Sequence, residues 1–398
     1  MTHLLPIASD RIGDEQGAFA DAVRQWAERE VMARRQALRE DYDGLLRPAL
    51  RGLLEGLGLK AHLWPERAGG DGQSPRSAAL TLALGLEQVG RADTGVGFVA
   101  AAGLAVAAAI VDGTDEARAA ELAPVFLGAD ALVAPVLGSL GARGDELLLP
   151  DGRSLQATAR RDGVGVVVDG KDVRPLCCGF DAGLYAVLCR IEGGVGLALV
   201  PGETDGIRRG ELVRQTGLAA CRNARVAFAG ARGLLAAEGE GVYRAIRTWL
   251  CLGLSALCSG ALLAACEILE GWAESRVIKG RGQRFVDNPL VAEVMAGLVQ
   301  RTTLLRLAVR DLARTLADRT GEQELLTALA VAHHAAATAD DGLGRTMELM
   351  GSAGYATEWN LERYWRDVKT LHGLLGSEVL DRLELARGCF SHGQGGAR

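Results

Sequence analysis

Apolar residues recur at helical spacing through the first 131 residues. Phe19, Val23, Trp26, Ala27 and Val31 fall near a 3.6-residue period, with Arg and Glu between them, so a helix is predicted from about Asp14. Residues 65–72 are dense in turn formers, and helical patterning resumes over 77–89 and again from Asp93. Between about Leu132 and Leu234 the pattern changes. Short apolar runs at 163–168, 186–189, 195–200 and 224–228 are punctuated by Gly and Asp, which predicts the strands of a small antiparallel barrel or sandwich. Asp169-Gly170 and Gly193-Gly194 read as hairpin turns. Long helical runs return at 243–275, 288–318 and 322–349. The fold class is therefore α+β and mainly α. The order is helical over 1–131, stranded over 132–236 and helical over 237–390, with 391–398 reading as a disordered tail.

Composition narrows the function classes. Charged residues make up 24% and hydrophobic residues 48%, the balance of a soluble globular protein. A net charge of −6 gives no general attraction to nucleic acid or anionic lipid, and neither is expected as a partner. Trp249 to Cys266 runs for 18 positions without a charge, the lower length limit of a membrane span. Its Ala, Gly, Ser and Cys content, and the absence of an aromatic belt, point instead to a buried core helix; residues 94–111 read the same way. Eight cysteines without a C-x-x-C read as reduced, buried thiols in a cytoplasmic protein, and the N-terminus shows no signal-peptide pattern. His333-His334 are adjacent, point to different sides of a helix and do not make a metal site.

Two motifs carry a more specific message. Gly351-Ser352-Ala353-Gly354-Tyr355 is followed by Glu358-Trp359-Asn360-Leu361-Glu362-Arg363-Tyr364-Trp365-Arg366-Asp367. This resembles the carboxyl-terminal signature of acyl-CoA dehydrogenases, a G-G-x-G-[YF] turn and an E-x-P-[VL]-E-R-x-x-R-D-[AV]-K helix entry. Earlier stretches resemble the same family: Glu28-Arg29-Glu30-Val31, Pro65-Glu66 with Gly69-Gly70-Asp71-Gly72, and Glu87-Gln88-Val89-Gly90-Arg91-Ala92-Asp93. The resemblance implies an N-terminal helical domain, a middle β-barrel, a C-terminal four-helix bundle, FAD as cofactor and an acyl-CoA thioester as substrate. It also implies an oligomer whose bundle faces a partner subunit.

The resemblance breaks where the chemistry should be. The family's catalytic glutamate, in an E-G-[TS] element, aligns with Leu375 of Leu375-Gly376-Ser377, and leucine cannot accept a proton from carbon. The alternative base position of one subgroup aligns near Ile246. His372, Glu378 and Asp381 are the nearby groups that could substitute for the base. In the T-E-P-x-x-G-S-D flavin loop, the corresponding stretch is Val133-Ala134-Pro135-Val136-Leu137-Gly138-Ser139, which keeps only Ser139 of the hydroxyl-bearing positions. The aromatic and threonine of the W-I-T-N element fall near Arg174 and Leu176. Contacts to the FAD diphosphate are implied for Arg276, Arg281 or Arg284 and for the Gly351, Ser352 and Gly354 turn.

Three readings follow. The chain is the base-lacking subunit of a heteromeric dehydrogenase with a glutamate-bearing sister. Alternatively, it runs different flavin chemistry on the same fold, such as an oxygenase or desulfinase. Otherwise, it is a non-enzymatic structural homologue.

Overall fold

A computed structural model describes residues 12–34, 42–128, 132–138, 149, 153–278, 280, 282–318, 322–374 and 378–393. The N-terminal part is built of α1 (Asp14–Glu30), α2 (Tyr42–Arg51), α3 (Pro75–Ala92), α4 (Thr94–Gly113) and α5 (Glu116–Gly128). The periodic positions of α1 do what their spacing predicts, with Val23, Trp26, Ala27 and Val31 all buried. α3 begins where Ser74 accepts the Ser77 amide and Pro75 occupies the first helical position. α4 begins where Asp93 accepts the Val96 amide at 2.9 Å.

Among the described residues seven strands follow: β1 (Val133–Val136), β2 (Ala157–Asp162), β3 (Gly165–Val173), β4 (Leu184–Ile191), β5 (Gly194–Pro201), β6 (Ile207–Arg209) and β7 (Val226–Glu238). β4, β2, β3, β7 and β5 pair in that order, and β5 pairs back with β4, which closes a barrel. β1 hangs on β4 in parallel register, Val133 opposite Leu184, an exception to the antiparallel expectation.

One turn assignment is corrected. Asp169-Gly170 lies inside β3, and the β2–β3 hairpin turns at Gly163, where φ is +61°. Gly170 is needed for another reason. It sits at a register shift between β3 and β7, where a Cβ would meet Val173 Cγ2 at 2.9 Å and the Gln156 carbonyl at 3.1 Å. The β4–β5 hairpin, by contrast, does turn here, at Glu192 and Gly193 (φ +94°), with Gly194 opening β5 opposite Ile191.

The C-terminal part contains α6 (Glu240–Ser275), α7 (Pro289–Asp318), α8 (Glu322–Met350), the one-turn α9 (Ser352–Tyr355), α10 (Leu361–Leu374) and α11 (Glu378–Gly393). α11 is helical through Gly393, so the first residues of the expected tail belong to a helix. α4 and α6 are each long and apolar enough to cross a membrane, but 94% and 89% of their most apolar windows are buried inside the protein, as core helices. They pack closely because small residues line the crossing. A Cβ on Gly90 would fall 2.7 Å from Leu257 Cα, and one on Gly253 3.0 Å from Ala101 Cβ. Thus α3 and α4 meet α6 nearly backbone to backbone, and the N-terminal helices and the bundle share one hydrophobic core.

Candidate functional site

The most distinctive sequence motif works first as a clamp. Arg363, at the start of α10, pairs with Asp93 at 2.6 Å, the same carboxylate that caps α4. The Tyr364 hydroxyl donates to the carbonyl of Ala92 at 2.9 Å, and Arg366 donates to the carbonyl of Thr216 at 2.7 Å. Asp367 accepts the amide of Leu218, a residue held at φ +55° in the loop before β7. Arg91, at the end of α3, pairs with Glu267 of α6 at 2.8 Å and with Glu28 of α1 at 3.2 Å. The two charged motifs, 91–93 and 362–367, therefore tie the N-terminal helices, the strands and the bundle together. Asp367 is buried, and that burial, with the negative charge of Asp93 beside it, pushes its carboxyl up to about 7.

Ile246, which the sequence reading set near the alternative base position, adjoins a second buried ionic cluster. Ile246 on α6 is 1% exposed. Its neighbour Arg247 reaches α11, donating to Asp381 at 2.9 Å and to Glu384 at 2.8 Å. The other Asp381 oxygen lies 3.1 Å from Nε2 of His333 on α8. Arg153, ahead of β2, is 3.7 Å from Asp381 and donates to the Tyr243 hydroxyl at 3.3 Å. Cys251, one turn beyond Arg247, is fully enclosed, and burial pushes its thiol up to about 12. Arg247 thus engages both Asp381 and Glu384.

Leu375 lies outside the described residues, as do Ser139, Arg281 and the side chain of Glu378. His372, near the end of α10, is placed 3.9 Å from Asp340 of α8, which also holds Lys369 at 2.6 Å. It belongs to a different charge group from the Arg247 cluster. His333 is in that cluster, whereas His334 is exposed beside Thr338, so the adjacent histidines do diverge.

Among the described residues, the strand region offers little that suits an isoalloxazine ring. Val133 and Ala134 are buried at 3% and 0% exposure, and α4 covers Val133 at Gly103. Leu176 donates its amide to the Pro135 carbonyl at 2.8 Å. That bond brings the 174–178 loop against β1. The side chains there are Arg174, which is exposed, Leu176, and the buried Cys177 and Cys178. They supply neither an aromatic platform nor a hydroxyl.

The far end of α6 suits a diphosphate better. Beyond Ser275 the chain makes a small hairpin, with Val277 bridged to Arg284 and the Ile278 amide bonded to the Gln283 carbonyl at 2.8 Å. Arg276 lies 5.6 Å over the Trp272 ring, with its guanidinium side exposed, and Arg284 is exposed across the hairpin. The turn beyond α9 reaches this end of α6, where Trp359 packs on Gly271. Gly351 has φ +57° and open space around it, so backbone conformation requires it. Gly354 is required by packing, since a Cβ would lie 2.7 Å from the Met347 carbonyl.

Two family models match this chain. The acyl-CoA dehydrogenase N-terminal domain matches residues 13–129, and the acyl-CoA dehydrogenase C-terminal domain matches residues 226–390. The chain belongs to the acyl-CoA dehydrogenase family. That family consists of FAD-dependent flavoprotein oxidoreductases. Cyclohex-1-ene-1-carbonyl-CoA dehydrogenase of Geobacter metallireducens is 25% identical over 389 residues, covering 94% of this chain and 97% of that protein. Acyl-[acyl-carrier-protein] dehydrogenase MbtN of Mycobacterium tuberculosis is 32% identical over 114 residues, a match spanning only 28% of each protein. Butyryl-CoA dehydrogenase from Megasphaera elsdenii shares the fold, with a TM-score of 0.80 at 18% identity over 96% of this chain and 99% of that one.

Sequence reasoning missed the Arg247 cluster. The available signals were Arg247 as the last charge before the apolar run of α6, and Asp381 and Glu384 spaced three apart on α11.

Proposed function

We propose that this chain is the base-lacking subunit of a heteromeric acyl-thioester dehydrogenase, acting with a sister chain that carries the catalytic glutamate. Two things support this reading: the motif alignment sets Leu375 at the family's glutamate position, and Asp381 and Glu384 are held by Arg247. A bound FAD supplies a hydride acceptor for α,β-desaturation, whereas the proton on Cα needs a free carboxylate. The residues near β1 do not fit the flavin ring, while Arg276, Arg284 and the Gly351–Gly354 turn suit a diphosphate; this supports a flavin shared between the two chains. Ser352 and Arg281 belong to the same proposed diphosphate contact.

The substrate class is a thioester. One relative is named for a CoA thioester and another for an acyl carrier protein thioester, and the carrier on this chain is open to either. The same reading carries a cytoplasmic oligomer with a buried bundle interface. Exposed Leu290, Leu304 and Leu307 on α7 and Val379, Leu383 and Phe390 on α11 offer apolar surface for it.

The test is to purify the chain alone and co-expressed with a glutamate-bearing homologue encoded beside it. Co-purification of a yellow complex, with little flavin and no dehydrogenation by the chain alone, is expected. A yellow homo-oligomer that desaturates acyl thioesters would overturn the proposal. A yellow homo-oligomer active as an oxygenase or desulfinase would replace it with the second reading. A colourless homo-oligomer without thioester affinity would replace it with a structural role.

A further inference from the structure

Six carboxylates are buried among the described residues: Glu87, Asp93, Glu324, Glu362, Asp367 and Asp381. Five of them pair with an arginine at 2.6 to 3.1 Å, namely Arg306, Arg363, Arg76, Arg366 and Arg247 in turn. Asp367 pairs with no cation among the described residues. It is 5% exposed, and there its hydrogen bond is from the Leu218 amide at 2.5 Å. An ionised carboxylate enclosed without a counter-ion is costly, and taking up a proton removes that cost.

The surroundings favour a proton on this residue. Asp93 and Asp367 converge on Gly95, the second residue of α4. A Cβ there would lie 3.3 Å from Asp93 Oδ1 and 3.4 Å from Asp367 Oδ2. Two carboxylates so placed resist ionising together. Asp93 already holds Arg363 and the Val96 amide, so the proton falls to Asp367. The other charges nearby are engaged. On α10 itself, Arg366 donates to Glu362 and to the Thr216 carbonyl. At the end of α3, Arg91 pairs with Glu267 and Glu28. In the turn Ala219–Cys221, burial pushes the Cys221 thiol far up and keeps it neutral. On α8, which also packs against α10, Asp340 is held by Lys369 at 2.6 Å, with His372 at 3.9 Å. Burial first, and the Asp93 charge second, push Asp367 up to about 7.

We propose that the Asp93–Asp367 pair is a proton-operated latch on the joint between α10, the α3–α4 corner and the loop before β7: the closed joint holds one proton on Asp367, and opening releases it to solvent. Each side of the joint leans on these two carboxylates. Asp93 caps α4, and Asp367 holds the amide of Leu218, whose φ is +55°. Beside it, a Cβ on Gly217 would lie 2.2 Å from the Arg366 carbonyl, so loop and helix meet backbone to backbone. Water in an opened joint returns Asp367 toward its ordinary 3.8. Below about pH 4 the open and closed forms both carry the proton, and opening does not depend on pH. Between about pH 4 and pH 7 opening releases the proton, so the open population rises about tenfold per pH unit. Above about pH 7 both forms are ionised and the rise levels off. The inference does not depend on the heteromer reading.

The experiment is hydrogen–deuterium exchange at the Leu218 and Val96 amides, corrected for the intrinsic pH dependence of exchange, in wild type and Asp367→Asn from pH 5 to pH 9. Wild type is expected to lose about 100-fold in protection between pH 5 and pH 7 and to level off by pH 8. Asp367→Asn keeps an acceptor for the Leu218 amide and cannot titrate, so its protection is expected to stay flat. Should that variant fail to fold, Asp93→Asn serves: with the neighbouring charge gone, the fall in protection should end at a lower pH. Protection in wild type that is independent of pH between 5 and 7, an equal fall in Asp367→Asn, or an unshifted fall in Asp93→Asn would overturn the proposal.

Discussion

The Arg247–Asp381 pair is the part of the candidate site whose energetics can be worked most directly. Its side chains are 8% and 2% exposed, and the two groups meet at 2.9 Å. At that burial the attraction is weakly screened, but both ions have lost their water. Arg247→Met leaves the Asp381 carboxylate enclosed, with the His333 ring and Arg153 as its remaining neighbours. Asp381→Leu leaves the guanidinium with Glu384, which is 21% exposed. Removing one member of a buried pair typically costs about 3–5 kcal/mol, and the arginine deletion should reach that range. The aspartate deletion should cost less, because Glu384 remains. The double variant removes both charges and should sit at least about 2 kcal/mol above the sum of the single losses. Urea unfolding of wild type, both singles and the double gives the coupling energy. Additive losses below about 1 kcal/mol each would mean the cluster is hydrated, and the claim that Arg247 immobilises the α11 carboxylates would fail.

Three further outcomes are expected. Gly260→Ala should destabilise by at least about 1–3 kcal/mol in thermal or urea melts, because its Cβ would lie 2.5 Å from the Arg91 amide nitrogen, short of the 3.4 Å where ordinary contact begins; an unchanged melt would mean the helices are not packed backbone to backbone. Asp367, raised to about 7 from an ordinary 3.8, favours folding in its protonated form, so its contribution is full below about pH 4 and is lost as pH rises through 7. Asp367→Asn keeps an acceptor for the Leu218 amide and should gain on wild type by roughly 2–4 kcal/mol between pH 5 and pH 8; a pH-independent difference would refute the assignment. Leu375→Glu alone should not restore enoyl product, since the described side chains near β1 supply no flavin platform; desaturation at a rate typical of the family would show that the flavin site was intact.

Much of the fold was legible because its signals are local. The periods that place α1, α3, α6, α7 and α8 lie within single segments, and the β4–β5 hairpin is signalled by the adjacent Gly193 and Gly194. Asp169-Gly170 misled for a physical reason: glycine marks a close backbone approach at a register shift as readily as it marks a turn. The site was less legible because its contacts are distant in sequence. Arg247 and Asp381 are 134 residues apart, and His333 and Asp381 are 48 apart. Alignment of motifs set Leu375 at the family's base position. It did not reveal that Asp381, a candidate substitute, was tied down, nor that Arg363 and Asp367 fasten three parts of the chain together.

The central claim is that this chain holds neither a free base nor a complete flavin site and depends on a sister subunit for both. The most direct measurement is anaerobic flavin bleaching on addition of acyl thioester, for the chain alone and for its complex with a glutamate-bearing sister. The account predicts bleaching in the complex, loss of bleaching when the sister's glutamate is changed to glutamine, and none for the isolated chain. Bleaching by the isolated chain, with enoyl product formed, would contradict it.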